Sequence, residues 1–401
     1  MESFQASKSN GKPPNPYPYI SPPWRVALIA NLKDSYIRQH LDPPDAGAEF
    51  DRLETLEALA SALEQDGHWV HLCLADHTLP EALIKIRPHI CFNIAEGIHG
   101  NGREAQVPAL CEMLGIPYTA SEVVANAISL DKSQTKRIWR EFGLPTAAFQ
   151  EIAKIEDTLP TTLRFPLFVK PAREGTGMGI DGGAIVQNET ELVKRVEWVL
   201  KTYRQPALVE EYLPGREFTV GFIGNPGSPA NRRHPELYDA EGYHWLPILE
   251  IDTEASISPG VYGHDNKDIN PGATGAPDYL CPADIPAALQ ARLIDLAKRA
   301  AQALNVYDVG RIDFRLDADG EPCLLEINTL PGLNPLVSDL CIMAAADGLP
   351  YKTLITEILN LAAERQGLPL QAAEVSQHIP QTALFNHSYK ASYAVLSQRQ
   401  T

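Results

Sequence analysis

The stretch GRIDFRLDADGEPCLLEINTLP, residues 310–331, decides how the rest of this sequence is interpreted. Alternating apolar residues on both sides of the turn DADG predict two strands joined as a β-hairpin. Successive side chains of a strand point to opposite faces, so Glu326 and Asn328 share one face and Asp313 lies on the neighbouring strand. Mg²⁺ prefers such oxygen donors, together with phosphates and water. Taken in isolation, the same pattern is more often a solvated polar face, and the rest of the chain reverses that preference.

A glycine-rich loop follows a second buried strand in LFVKPAREGTGMGI. Backbone amides of such a loop approach phosphate oxygens closely, and Lys170 at the end of the strand neutralises them. The spacing of Gly175, Gly177 and Gly179 is similar to a dinucleotide-binding fingerprint. That interpretation fails because DGGAIV predicts a strand where the fingerprint requires a helix. A glycine-rich surface hairpin is the alternative for the loop considered alone.

Two more segments carry candidate nucleotide contacts. SLDKSQTK places Lys132 at the start of a helix within reach of phosphates, although an exposed helical lysine is the commoner meaning. In VEEYLPGREF, Glu210 is a candidate acceptor for an adenine amino group or for ribose, Leu213 a candidate for the base pocket and Glu217 a candidate ribose contact. No one of these residues identifies a nucleotide site by itself.

Composition restricts the class of protein. A chain of 401 residues with 44% hydrophobic and 21% charged residues is typical of a soluble globular protein with two or three lobes. No apolar run approaches a membrane span, and a net charge of −17 argues against a nucleic-acid surface. The first 23 residues lack the apolar core of a secretion signal and predict a disordered leader. We therefore expect a cytoplasmic protein that acts on small molecules.

Hydrophobic periodicity predicts an α/β (α+β) architecture. Helices are expected at residues 49–65, 104–114, 131–142, 285–304 and 351–366. Many glycine, proline, asparagine and histidine residues predict loops at 225–270. The expected divisions are a disordered leader (1–23), an N-terminal α/β lobe (24–120), a central lobe (121–205), a C-terminal lobe (206–366) and a tail (367–401).

The order of these segments resembles the D-alanine:D-alanine ligases of the ATP-grasp superfamily over roughly residues 91–363. The motifs that carry the resemblance are LGIPYTAS, LDKSQTK, FPLFVKPAREGTGMGI, VEEYLPGREFTV, YLCP, GRIDFRLDADG and LLEINTLPGL. It implies an ATP-grasp fold with an N-terminal preATP-grasp lobe, and a nucleotide clamped between two sheets. ATP and two Mg²⁺ ions, for which Mn²⁺ can substitute, are the implied cofactors. A homodimer is the implied assembly.

The resemblance also implies roles for individual residues. The implied ATP contacts are Lys132, Lys170, Glu210, Leu213, Glu217 and Lys267. The implied metal ligands are Asp313, Glu326 and Asn328. Arg311 matches the family arginine that stabilises the oxyanion when an amine attacks the acyl phosphate, and Lys267 and Thr176 complete the catalytic candidates. This chemistry needs no covalent protein nucleophile.

Departures from the family lie in the segments that contact substrate. ALIANLKDSY replaces a Gly-Gly-x-Ser-x-Glu motif, so the amine-recognising glutamate is missing there. NIAEGIHGNGREAQ replaces His-Gly-x-x-Gly-Glu, which leaves Glu96, Arg103 and Glu104 as candidate substrate contacts. NPLVSD replaces the Ser-Leu that grips the second carboxylate, which leaves Ser338 and Asn334 as candidates.

Two smaller departures concern loops. Asp268 stands where the family has a tyrosine, and a serine pair in the glycine loop becomes Thr176 and Gly177. We therefore expect a ligase that joins an acid to an amine with altered substrate specificity, acting on small amino acids or related metabolites. The alternative is an ATP-grasp phosphotransferase or a nucleotide-binding regulator without ligase activity.

Overall fold

The structure is a computed structural model that describes residues 22–40, 42–157, 162–264 and 273–370. Three earlier expectations lie wholly or mostly outside these ranges: the disordered leader (1–23), the tail (367–401), and the loop with Lys267 and Asp268. No helix among the described residues has the length and apolar character needed to cross a membrane. The cytoplasmic location stays a prediction.

The N-terminal part is built on a parallel sheet of three strands in the order β2-β1-β3. Its strands are β1 (Arg25–Ala30), β2 (Trp69–Leu74) and β3 (Ile90–Asn93), and its helices are α1 (Leu53–Glu64), α2 (Leu79–Ile86) and α3 (Gln106–Leu114). The helix predicted at 49–65 begins later, because residues 44–49 form turns and Asp51 forms a bridge with Leu32. Gly115 ends α3 in the left-handed conformation, as the sequence predicted.

Two helices, α4 (Val123–Leu130) and α5 (Lys132–Glu141), connect the N-terminal sheet to the next one. The carboxylate of Asp131 caps α5 by accepting a hydrogen bond from the Gln134 amide at 3.0 Å. This cap fixes Lys132 at the first position of α5, which is where the sequence placed it.

The central sheet is antiparallel, with the order β4-β7-β5-β6. Its elements are β4 (Phe149–Ile152), β5 (Leu167–Pro171), β6 (Ile185–Val186), the covering helix α6 (Glu189–Thr202) and β7 (Ala207–Glu211). The expected lobe boundary at 206 is wrong for β7, because β7 pairs with β4 and β5. Helix α6 was missed, although Asn188 caps it by accepting a hydrogen bond from the Glu191 amide.

The C-terminal sheet has six strands, in the order β11-β10-β8-β12-β13 with β9 paired to β8. Its elements are β8 (Glu217–Gly224), β9 (Tyr243–Trp245), β10 (Leu249–Asp252), β11 (Asp278–Leu280), α7 (Ala287–Ala303), β12 (Asp308–Leu316), β13 (Pro322–Asn328), α8 (Asp339–Ala346) and α9 (Tyr351–Arg365). The DADG hairpin between β12 and β13 is confirmed. The expectation of loops at 225–270 is wrong for β9 and β10, since β8 supplies their pairing partners.

Helix α9 ties the two ends of the chain together. Leu56 and Leu63 of α1 and Ile355 and Leu359 of α9 belong to one buried cluster. The carboxylate of Asp308, at the start of β12, is fully buried and accepts a hydrogen bond from Arg365 at 2.8 Å. The N-terminal and C-terminal sheets therefore share a core, and this core fixes the space between them.

Candidate active site

Two adjoining cavities lie where the three sheets meet. The larger, of about 450 Å³, is lined by the ends of the N-terminal strands, the glycine loop and the segment after β13. The smaller, of about 70 Å³, lies between the central and C-terminal sheets. Lys132, Glu174, Tyr262 and Glu326 line both cavities and so mark their junction.

The β12–β13 hairpin brings its three predicted oxygen donors together. Asp313 is opposite Glu326, and Arg311 is opposite Asn328, in the antiparallel register. The Asn328 amide donates to Asp313 Oδ2 at 3.2 Å, and the Thr219 hydroxyl donates to the same carboxylate. The predicted convergence of these side chains is confirmed. Two carboxylates and an amide on one face are hard oxygen donors of the kind that a divalent cation takes.

Arg311 is held in one orientation by carboxylates on two sides. Its Nε and Nη2 donate to Asp313 at 3.0 and 2.9 Å, and its Nη1 lies 3.4 Å from Asp339 Oδ2. Burial by itself would lower the pKa of Arg311, but Asp313 and Asp339 outweigh burial and raise it. The guanidinium is therefore a fixed positive charge on the cavity surface. Asp339 was missed in the sequence, where it follows Ser338 directly.

Three lysines surround the carboxylates of the smaller cavity. Lys170 Nζ lies 2.8 Å from Glu210 Oε1, and Lys136 Nζ lies 3.0 Å from Glu210 Oε2. Burial would raise the pKa of Glu210, but the two ammonium groups outweigh it and lower the pKa to about 2. Lys132 Nζ lies 3.1 Å from Glu326 Oε2 at the junction. Glu210 thus lines the smaller cavity, and each of its carboxylate oxygens contacts a lysine.

Lys136 is the residue that sequence reasoning missed here. It is fully buried and also donates to the Thr146 hydroxyl at 2.6 Å. The sequence did contain a signal for Lys136, because positions four apart on a helix share a face and Lys136 follows Lys132 by four.

Burial by itself would lower the pKa of Lys170, but Glu210 and Glu326 outweigh burial and raise it.

The remaining nucleotide candidates lie around the same small cavity. Leu213 is buried against Ala147 and Cys323. Glu217 Oε2 lies 3.4 Å from Arg315 Nη1, and both side chains line the cavity. The structure therefore places Lys132, Lys170, Glu210, Leu213 and Glu217 around one space, whereas Lys267 lies outside the described residues.

The glycine loop is held from outside by the segment before α1. Asp45 Oδ2 accepts a hydrogen bond from the Gly179 amide at 2.8 Å, and Glu49 Oε1 accepts one from the Gly175 amide at 2.5 Å. Thr176 adopts a positive φ of 49° and lines the larger cavity. A Cβ atom at Gly177 would lie 2.6 Å from the His264 amide nitrogen, so only glycine permits that approach. Sequence reasoning missed Asp45 and Glu49.

Arg103 does not line the larger cavity. Its Nη2 lies 2.8 Å from Glu49 Oε2 and 3.2 Å from Glu174 Oε2, and its Nη1 donates to the Arg173 carbonyl at 2.8 Å. The expectation that Arg103 contacts substrate needs correction, because these contacts occupy the guanidinium behind the cavity surface. Glu49 does line the cavity, so a glutamate is present near the site although the expected motif lacks one.

Three carboxyl groups line the N-terminal side of the larger cavity: Asp51, Glu96 and Glu104. Burial raises the pKa of Asp51 to about 7. Burial raises the pKa of Glu104 to about 7. The positive charges of Arg103 and Lys132 oppose this increase, and the negative charges of Glu49 and Glu326 add to it. Burial followed by the charges of Glu104 and Glu49 raises the pKa of Glu96 well above its ordinary value. The predicted substrate candidates Glu96 and Glu104 thus face the same space.

Asn334 and Ser338 line the opposite side of the larger cavity. The Asn334 amide group donates to the Thr55 hydroxyl at 2.9 Å, and its backbone N–H donates to Ser338 Oγ at 2.9 Å. These hydrogen bonds hold the segment after β13 against α1. Near it, the hydroxyls of Tyr262 and Tyr279 lie 3.0 Å apart, and neither tyrosine was singled out in the sequence.

Two facing antiparallel sheets, with lysines and paired acidic residues between them, define an ATP-grasp enzyme. A solved D-alanine–D-alanine ligase of Bacillus anthracis complexed with ATP superposes with a TM-score of 0.63 at 22% identity, covering 86% of this chain and 99% of that one. This match shows the fold.

Sequence comparisons give the family. The family described as D-ala D-ala ligase C-terminus matches residues 138–360. The D-alanine–D-alanine ligase of Bordetella petrii is 37% identical over 271 residues, 66% of this chain and 74% of that protein. An uncharacterized protein of Sinorhizobium fredii is 32% identical over 351 residues, 85% of this chain and 97% of that protein. The chain belongs to the D-alanine:D-alanine ligase family, whose members are ATP-dependent carbon–nitrogen ligases that use a divalent metal ion.

Proposed function

We propose that this chain joins a carboxylate to an amine through an acyl phosphate, with a substrate pair other than two D-alanine molecules. The observation that carries the proposal is the meeting of the two cavities at Lys132 and Glu326, whose charged atoms are 3.1 Å apart. A nucleotide in the smaller cavity would present its terminal phosphate to a carboxylate in the larger one. Holding two reactants in this way accounts for much of the rate enhancement in such reactions.

The nucleotide is assigned to the smaller cavity. Lys132 and Lys170 lie where they would neutralise phosphate oxygens, and buried Leu213 offers an apolar surface to a base. Glu210 and Glu217 complete the assignment, with Glu210 also orienting Lys170. Lys267 joins them on the strength of the family resemblance alone.

Asp313, Glu326 and Asn328 are proposed to hold the divalent metal. Their oxygen donors fit Mg²⁺, which takes carboxylates and phosphates and keeps several waters, and Mn²⁺ accepts the same ligands. Two ions are the proposed number, as in the family resemblance. The bound metal would neutralise charge on the phosphates and withdraw electrons from the reacting phosphorus.

Arg311 and Thr176 are assigned to the reacting end of the larger cavity. Arg311 is a fixed cation whose two carboxylate partners prevent its reorientation, which suits it to a developing oxyanion. Thr176 is placed by the glycine loop on the surface of the same cavity. Among the proposed substrate contacts, Glu96, Glu104, Asn334 and Ser338 line this cavity.

Product analysis tests the proposal. The full chain is incubated with Mg-ATP and pairs of amino acids, phosphate release is measured, and products are identified by mass. Ligation predicts ADP and phosphate only when both an acid and an amine are present, with a product lighter than the two reactants by one water. A phosphorylated product formed without any amine would instead identify a phosphotransferase. Light scattering of the same preparation tests the proposed homodimer.

A further inference from the structure

Asp51, Glu96 and Glu104 form a surface that we call the acidic wall. All three lie at the carboxyl-terminal edge of the parallel sheet: Asp51 bridges Leu32 just beyond β1, Glu96 follows β3, and Glu104 lies in the turn before α3. In open α/β sheets this edge is where ligands bind. The acidic wall is therefore a surface of the larger cavity in a position suited to a ligand.

The acidic wall is built rigidly. Gly97 has a φ of +78°, and a Cβ atom there would lie 2.6 Å from the Arg103 carbonyl oxygen. The backbone N–H of Gly97 donates a hydrogen bond to Asn31 Oδ1 at 2.8 Å. Glycine at this position lets the backbone after β3 pack directly on the turn that carries Glu104. Glu96 and Glu104 are neighbours for this reason, and their charges act on each other.

Within the described part of the chain, none of the three carboxyl groups makes a side-chain hydrogen bond or an ion pair within 4 Å. The nearby cations have other partners: Arg103 contacts Glu49 and Glu174, and Lys132 contacts Glu326. Glu104 is only 9% exposed. A buried carboxyl group without a partner is costly in free energy, and a ligand that brings a positive charge removes this cost.

The complement of the acidic wall is an organic cation. Among the residues that the structure describes, no group of three or more His, Cys, Asp or Glu side chains is arranged to hold a metal ion. The cavity of about 450 Å³ has room for a small organic molecule. One ammonium group needs one carboxylate partner, and the acidic wall offers three, whereas Glu49 on the same cavity already contacts Arg103 and the Gly175 amide.

We propose that the acidic wall is a subsite for a second positive charge, so that the chain prefers a basic amino acid over a neutral one of similar length. The substrate would carry an α-ammonium group and a side-chain cation. This inference rests on the proposed ligase function and adds the chemical class of one substrate to it.

The first experiment compares basic amino acids with neutral amino acids of similar length on the unmodified chain. Phosphate release with Mg-ATP is measured for D- and L-lysine against D- and L-norleucine, and for D- and L-arginine against D- and L-citrulline. Each compound is supplied alone and together with D- or L-alanine. We expect kcat/KM for at least one basic amino acid to exceed that of its neutral counterpart by about tenfold or more, as a charge-assisted contact implies.

The second experiment neutralises the acidic wall. Glu96→Gln, Glu104→Gln and Asp51→Asn keep side-chain size while removing one carboxyl group each. We expect KM for the basic amino acid to rise by about tenfold in each variant, with little change in KM for ATP. Glu57→Gln is the matched control, since Glu57 is an exposed carboxylate of α1 that does not line the cavity, and it should leave both constants unchanged.

A measurement of thermal stability tests binding to the acidic wall independently of catalysis. Lysine should raise the melting temperature of the unmodified chain more than norleucine does, and each neutralised variant that folds should lose this difference. Equal use of lysine and norleucine, with equal thermal shifts, would overturn the subsite while leaving ligation of neutral amino acids intact. Absence of ligation with every acid and amine would overturn the proposed function itself, and a thermal shift by lysine alone would still support the subsite.

Discussion

Carboxyl groups have different surroundings at the two ends of the active site. At the nucleotide end each named carboxylate has a cation: Glu210 has two lysines, Glu326 has Lys132, and Glu217 has Arg315. At the substrate end, the three carboxyl groups of the acidic wall have no ion-pair partner among the described residues. Ion pairs within the chain neutralise the carboxylates at the nucleotide end, whereas a positively charged substrate would be needed to neutralise those of the acidic wall.

The nucleotide end gives the largest expected effect. Glu326→Ala should abolish turnover, a loss of about a thousandfold or more, because it removes a proposed metal ligand and the partner of Lys132. Steady-state phosphate release measures the loss, and thermal unfolding checks that the variant folds. Near-normal activity would refute the metal assignment and remove the basis for contrasting the two ends.

Arg311→Lys should have the next largest effect. Lysine keeps the charge but cannot make the paired hydrogen bonds to Asp313 while also reaching Asp339. We expect kcat to fall by about a hundredfold and KM for ATP to change little, as for loss of one oxyanion donor. A rise in KM for ATP at constant kcat would assign Arg311 to nucleotide binding instead.

The substrate end should respond to pH. Asp51 and Glu104, each with a pKa of about 7, gain negative charge as pH rises through 7. The charged groups that act on Glu104 are Arg103, Glu49, Lys132, Glu326 and Glu96. KM for a basic amino acid should therefore fall between about pH 6 and about pH 8, by up to about tenfold, whereas KM for its neutral counterpart should change less.

Glu104→Gln sharpens this pH prediction, because the variant lacks one of the two titrating groups and should show a shallower dependence. The same measurement on Glu57→Gln should reproduce the unmodified profile. A KM for the basic amino acid that rises with pH over this interval has the opposite sign and would contradict the assignment of Asp51 and Glu104.

The contact between the segment before α1 and the glycine loop gives the smallest expected effect. Asp45→Asn weakens the acceptor for the Gly179 amide and the Tyr203 hydroxyl, so the glycine loop should loosen. We expect KM for ATP to rise by about three- to tenfold, corresponding to loss of about 1 kcal/mol. Asp42→Asn is the control, since Asp42 lies in the same segment and accepts from Tyr36. Equal effects of both variants would show that the glycine loop does not depend on Asp45.

Local sequence determined the nucleotide end to a large extent. The convergence of Asp313, Glu326 and Asn328 follows from a hairpin whose short turn sets the register of its strands. Lys170 follows from its place at the end of a buried strand, and Lys132 from a capped helix start. In each case the partners are close in sequence, or the element type fixes the direction of the side chain.

Tertiary structure alone decided the substrate end and the association of the sheets. Glu49 contacts Arg103 from 54 positions away, and Asp45 contacts Gly179 from 134 positions away. The placement of β7 between β4 and β5 likewise depends on pairing across intervening segments. Such contacts are not encoded in a local periodicity, because they form only when the shared core of α1 and α9 and the packing of three sheets bring distant segments together.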